Sequence, residues 1–211
     1  MISYFELFLS CYYGSSLFCA FFDFFYPSLR ITKKKENIFE DYKKIIVKVN
    51  KNIIVSYPIF WIFENKIMES NNIKNNSYYY HPVIYYLGWL IMTDILFYSF
   101  HRTVHNPKYY YLHKQHHEFL YPYGIAAIYC SYVEFIFGNL VPLLLPCYVL
   151  QIPDEATRNL IIFSTLWTTI ISHSSLQNFQ YDHNIHHLKL KYNYGLFLSD
   201  YIFNTNYKKK M

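Results

Sequence analysis

The stretch VIYYLGWLIMTDILFYSFHRTVH, residues 83–105, joins two properties that soluble and membrane segments usually keep apart. A helix needs about 20 mostly apolar residues to cross a bilayer, and this stretch supplies them. It then ends on two imidazoles, His101 and His105. On a helix, residues three and four apart share a face, so Asp94, Tyr98, His101 and His105 form one stripe down it. An acid inside a span is costly and usually functional. Asp94, with Tyr98 beside it, is therefore expected to accept a hydrogen bond from a ligand imidazole and fix its tautomer. The alternative is an Asp94 shallow enough to be solvated.

Eight of the ten histidines fall in three short windows: HRTVH (His101, His105), HKQHH (His113, His116, His117) and HNIHH (His183, His186, His187). His173 and His81 stand alone. At helical spacing each window would turn its imidazoles in one direction, which is a ligand arrangement. One metal rarely takes more than about four to six protein ligands, so this many convergent imidazoles imply two metals. Structural zinc would need about four ligands and would usually recruit Cys. Cys11, Cys19, Cys130 and Cys147 all lie in apolar stretches without a CxxC pair, and read as reduced, buried thiols. An oxygen-activating di-iron pair fits the excess of imidazole better.

Hydrophobic residues make up 53% of the 211 and charged residues 16%, which points to a single membrane domain over residues 1–211. Residues 2–29, 83–105, 124–150 and 158–178 read as spans. Residues 45–63 are a further candidate, with two Lys in the first half and a kink expected at Pro58. No basic leader and no small-residue cleavage site mark a signal peptide. The expected fold is all-α: a membrane bundle of about four to five spans under a cytosolic, histidine-rich di-metal cap. Two spans separate the second window from the third, so all three windows return to one membrane face.

Charge sets the orientation. Arg30, Lys33, Lys34, Lys35, Lys43, Lys44, Lys48 and Lys51 form one basic cluster, and Lys208, Lys209 and Lys210 another. The turn QIPDEAT carries only acids. The basic segments are placed in the cytosol beside anionic lipid, with the N-terminus outside in a five-span topology and inside if 45–63 is interfacial. Basic clusters beside apolar spans are thereby explained without nucleic acid. Lys208 and Lys209 resemble a dilysine endoplasmic-reticulum retrieval signal, the alternative being a plain basic tail. Asn75 begins an N-x-S sequon in a loop placed outside. Glu134 lies in the fourth span, where a bundle-facing hydrogen-bonded acid and a functional one are equally compatible with the pattern.

Three boxes in this order, with spans between the second and third, resemble the fatty acid hydroxylase/sterol desaturase superfamily of membrane di-iron oxygenases. The resemblance covers residues 83–205, including DILFYSFHRTVH (94–105), YLHKQHHEFLYPY (111–123), His173 and HNIHHLKLKYNYGLFLSDYIFNT (183–205). HHLKLKYNYG looks most like the sterol C-5 desaturases (lathosterol oxidases). The resemblance implies a bundle of about four helices, a lipid or sterol substrate, O2 as co-substrate and residence in the endoplasmic reticulum. Its implied metal ligands are His101, His105, His113, His116, His117, His173, His183, His186 and His187, holding two Fe ions, with Zn possible as purified. With no cytochrome b5 segment in the sequence, it also implies an external electron donor such as cytochrome b5 and its reductase.

Three departures bear on the substrate. Ser131 and Tyr132 stand where many sterol-modifying members carry His and Pro, and Asn184 stands where several carry Asp. Only nine residues separate His173 from His183, a connection that shapes the substrate mouth and tests whether His173 reaches the site. A sterol methyl oxidase or hydroxylase and a sphingoid or fatty-acyl hydroxylase are the neighbouring readings. A metal-binding membrane scaffold without catalysis is the reading from another class. A transporter is disfavoured because its ligands belong near the bilayer midplane, and a hydrolase because no G-x-S-x-G elbow is present.

Overall fold

The computed structural model describes residues 2–30, 37–73, 82–174, 176 and 182–208. His81, Lys33, Lys34, Lys35, the sequon at Asn75, Lys209 and Lys210 lie outside the described residues. Every regular element among the described residues is helical, and one isolated bridge pairs Arg30 with Leu176. The long rods are α1 (Tyr4–Phe25), α2 (Ile38–Ile73), α3 (Pro82–Val104) and α4 (Tyr132–Val149). A fifth rod, α5, runs from Asp154 through Leu166 and continues as a π-helical turn, Trp167–Ser172. Two short helices follow, α6 (Asp182–Lys189) and α7 (Leu198–Ile202).

Helices α1 to α4 are each long and apolar enough to cross a membrane. The segment at 45–63, uncertain from its lysines, belongs to one 36-residue helix that runs through Pro58. The reason is amphipathy. Tyr42, Ile45, Val49, Asn52, Ser56 and Phe60 recur at three- and four-residue steps, Ile67 follows seven residues on, and all are buried. The lysines sit off that stripe, and Lys48 lies 3.7 Å from the centre of the Tyr132 ring. By contrast the segment read as a span at 158–178 is helical only to Ser172, carries several Thr and Ser, and is not among the four.

Polar contacts fix the direction of each rod. At one end Tyr4 donates its hydroxyl to Asp154 (2.8 Å), and Arg158 bridges Asp154 (2.8 Å) and Glu64 (3.8 Å). This joins the start of α1, the far end of α2 and the α4–α5 turn. At the other end Asp23 pairs with Arg30 (3.2 Å) and accepts from Tyr42 (2.7 Å), while Asp41 accepts from Tyr123 (2.7 Å). The five rods therefore alternate, and α4 with α5 forms a hairpin that returns the chain to the end where α3 finishes. Glu6 is the acid of a capping box with Ser3.

The expected span at 124–150 begins late. Residues 124–128 form a 3₁₀ turn, and the rod starts at Tyr132, with Ser131 Oγ accepting from Glu134 N (3.2 Å) as its N-cap. Buried non-helical backbone needs partners. Tyr12 donates to the Ile125 carbonyl (2.6 Å), and the Asn52 amide donates to the carbonyls of Ile128 (2.7 Å) and Cys130 (3.1 Å). Gly124 is required by close approach, since a Cβ there would stand 2.7 Å from Cys19. Pro146 denies the Pro142 carbonyl its helical donor, and Thr93 of α3 supplies one at 2.9 Å.

Candidate metal centre

All nine implied histidines meet at one end of the bundle. They form two groups: His101, His105, His113, His117 and His186, and His116, His173, His183 and His187. Within each group one ligand atom per residue lies within 4.8 Å of the others. The last turn of α3 presents His101, and the residue just past it is His105; tight turns between Tyr110 and Glu118 present His113, His116 and His117. His173 ends the π turn of α5, and α6 carries the last three.

The windows do not each face one way, as helical spacing suggested. His116 and His117 are neighbours in the chain yet serve different groups, and so are His186 and His187. Successive residues on a helix point about 100° apart, so a window lying between two centres straddles them.

The hydrogen bonding explains why these groups suit a cation. A backbone carbonyl can only accept, so His101 Nδ1, 2.7 Å from Tyr194 O, and His186 Nδ1, 2.6 Å from Tyr192 O, carry the ring protons. His113 Nδ1 donates to Glu134 Oε1 at 2.7 Å. All three Nε2 atoms are therefore lone pairs. Yet His101 Nε2 faces His113 Nε2 at 3.1 Å, His117 Nε2 lies 2.9 Å from His113 Nε2, and His186 Nε2 lies 3.0 Å from His105 Nε2 and 3.1 Å from His117 Nε2. Nitrogens about 2.1 Å from one ion and at right angles around it would stand about 3.0 Å apart.

In the second group His173 gives Nδ1–H to the Thr168 carbonyl (2.8 Å), and its Nε2 lies 3.2 Å from His116 Nε2. His116 Nε2 is 3.4 Å from His183 Nε2. Both nitrogens of the fully buried His187 lack any partner among the described residues. An orphaned buried imidazole is costly unless a ligand completes it.

Burial, reinforced by neighbouring imidazoles, pushes His113, His117, His183 and His187 well below the usual histidine range. Burial alone takes His105 to about 4, and burial with His105 nearby takes His186 to about 3. The rings are thus neutral at pH 7, the form that binds a metal. The donor set, all imidazole in two groups, fits a pair of first-row transition metal ions.

A family profile described as fatty acid hydroxylase matches residues 86–205, from α3 to just beyond α7. The chain belongs to the fatty acid hydroxylase family. It is 32% identical over 193 residues to fatty acid hydroxylase ahd1 of Mycosarcoma maydis, covering 84% of this chain and 49% of that protein. It is 31% identical to human fatty acid hydroxylase domain-containing protein 2, over 50% of this chain and 33% of that one. It is 30% identical to the Delta(7)-sterol 5(6)-desaturase erg3B of Aspergillus fumigatus, over 56% of this chain and 38% of that one. The chain thus spans between a third and a half of these relatives' lengths. No solved structure matches.

Two expectations drawn from the helical stripe are corrected by the geometry. Asp94 accepts no hydrogen bond from any described imidazole. Its oxygens accept from Leu196 N (2.7 Å), Phe197 N (3.1 Å), Ser199 N (2.7 Å) and Ser199 Oγ (2.7 Å). Seven residues at about 1.5 Å each place it about 10 Å down the helix from His101, beyond side-chain reach. Tyr98 likewise faces the tail, accepting from Arg102 (2.5 Å) and stacking on Phe203 at 5.0 Å. Among the described residues the acid that touches a site imidazole is Glu134, which a late helix start puts in the first turn of α4 rather than mid-span. Its partner in the sequence, Ser131, was the available signal. The Tyr192 and Tyr194 carbonyls carry no sequence signal at all.

A cavity of ≈ 330 Å³ runs from within the bundle to the histidines. Its walls are mostly apolar, including Trp89, Phe97, Leu140, Leu143 and Phe163, and it reaches His101 and His113 of one group and His116, His173 and His183 of the other.

Proposed function

We propose that the chain is an O2-dependent lipid oxidoreductase, with one iron ion in each histidine group and electrons delivered by an external donor such as cytochrome b5 and its reductase. The observation that carries this reading is the apolar cavity that ends on imidazoles of both groups. A bound iron pair would supply the redox chemistry that lets O2 attack an unactivated C–H bond. The chain's own contribution is placement and exclusion. Phe97, Leu140, Leu143 and Phe163 line a channel suited to an alkyl chain or ring system and keep water from the reacting carbon. His101, His113 and His186 are held as Nδ1–H tautomers by Tyr194, Glu134 and Tyr192, so their Nε2 lone pairs already face a common point.

The reaction proposed is desaturation or hydroxylation at the endoplasmic-reticulum membrane, and the basic clusters support placing the histidine groups on its cytosolic side. The tail motif favours a sterol, as in the C-5 desaturases. A fatty-acyl or sphingoid hydroxylase is supported by a different observation: the cavity is near the low end of the roughly 300–1,000 Å³ range of ligand pockets, which suits a slender chain better than four fused rings. Lipid extracts from cells making the wild type or His116→Ala separate these readings by mass spectrometry. An altered sterol profile supports the first, hydroxylated acyl or sphingoid products the second. A detergent-purified protein with no bound metal and no lipid product would leave a scaffold as the better account.

A further inference from the structure

The segment 190–207 closes on itself, with Asn193 N bonded to Thr205 O (2.9 Å), and two carboxylates hold it in place. Asp94 reaches it from α3 through four hydrogen bonds, and Asp200 accepts from Tyr194 N (2.8 Å), Gly195 N (2.7 Å) and Thr205 Oγ1 (2.7 Å). Both acids are buried, at 0% and 5% exposure, so their oxygens are met by these N–H and O–H donors rather than by water. The fit is close: a Cβ on Gly195 would lie 2.9 Å from Asp94 Oδ1 and 3.2 Å from Asp200 Oδ2.

The same few residues face the centre on their other side. The carbonyls of Tyr192 and Tyr194 take the Nδ1 protons of His186 and His101, both in the five-histidine group. Gly195, Leu196 and Phe197 form part of the cavity wall. No carbonyl of this segment bonds a described imidazole of the four-histidine group.

We infer that Asp94 and Asp200 are positioning residues that set the metal affinity of the five-histidine group alone, acting through the Tyr192 and Tyr194 carbonyls. The inference rests on the proposed two-metal function. A carboxylate that only stabilised the fold would affect both groups together; one acting through these carbonyls affects one. Loss of such a supporting contact typically lowers metal affinity about 10–100-fold.

The test is metal release from detergent-purified, full-length protein into excess chelator, followed for wild type, Asp94→Asn, Asp200→Asn and the milder Ser199→Ala. His186→Ala and His187→Ala assign the release phases to the two groups. The expected result is that the five-histidine phase speeds about 10–100-fold in the Asp variants, and less in Ser199→Ala, with the other phase unchanged. Equal acceleration of both phases, or no change in either, overturns the inference. Wild-type protein that binds no metal overturns the two-metal function on which it rests.

Discussion

The two histidine groups share a cap but are built differently. In the five-histidine group three rings hand their second nitrogen to a protein acceptor, two of them backbone carbonyls and one a buried carboxylate. In the four-histidine group His173 is fixed by the Thr168 carbonyl, while His187 has no partner on either nitrogen among the described residues. Three rings of one group are oriented by the protein itself, while His117 Nδ1 there has no described partner, and the other group depends more on its ion. Preorganisation of this kind raises affinity by lowering the ordering cost of binding.

The sharpest way to break this comparison is to split the adjacent pair. His117→Ala is expected to lose the ion of the five-histidine group and His116→Ala that of the four-histidine group. Each would leave about one metal per chain by elemental analysis, with turnover falling to background. Loss of both ions from either single variant would show that the groups are one site. Glu134→Gln should act more mildly, weakening only the braced group by about 10–100-fold in a competition titration, because the His113 tautomer is no longer imposed. An equal effect on the four-histidine group would erase the distinction. The smallest effect belongs to a control away from both groups. Tyr12→Phe orphans the buried Ile125 carbonyl and should cost about 1–3 kcal/mol of stability while metal content stays unchanged.

Most of the fold was legible because its signals are periodic. The span at 83–105 and the stripe through α2 follow from helical spacing, and the parity of spans placed the three windows at one end. The start of α4 was not legible: residues 124–131 are as apolar as a span, and only the donors from Tyr12 and Asn52, distant in sequence, show why they need not be helical. At the site, the set of histidines was readable but their partition was not, since neighbours in the chain point into different groups. Asp94 was singled out for being an acid on the right stripe. Helical rise, which counts distance along the axis as well as direction around it, sends its influence through the tail instead.

The two adjacent pairs, His116 with His117 and His186 with His187, have one last consequence. A single peptide bond yokes the two groups at each place, so ordering one side chain's backbone orders its neighbour's. The entropy of fixing these turns is spent by whichever ion enters first, and the second then enters a site already shaped. Metal uptake by the unloaded protein is therefore expected to be mildly cooperative, the second ion binding somewhat more tightly than the first while each group still holds its ion alone.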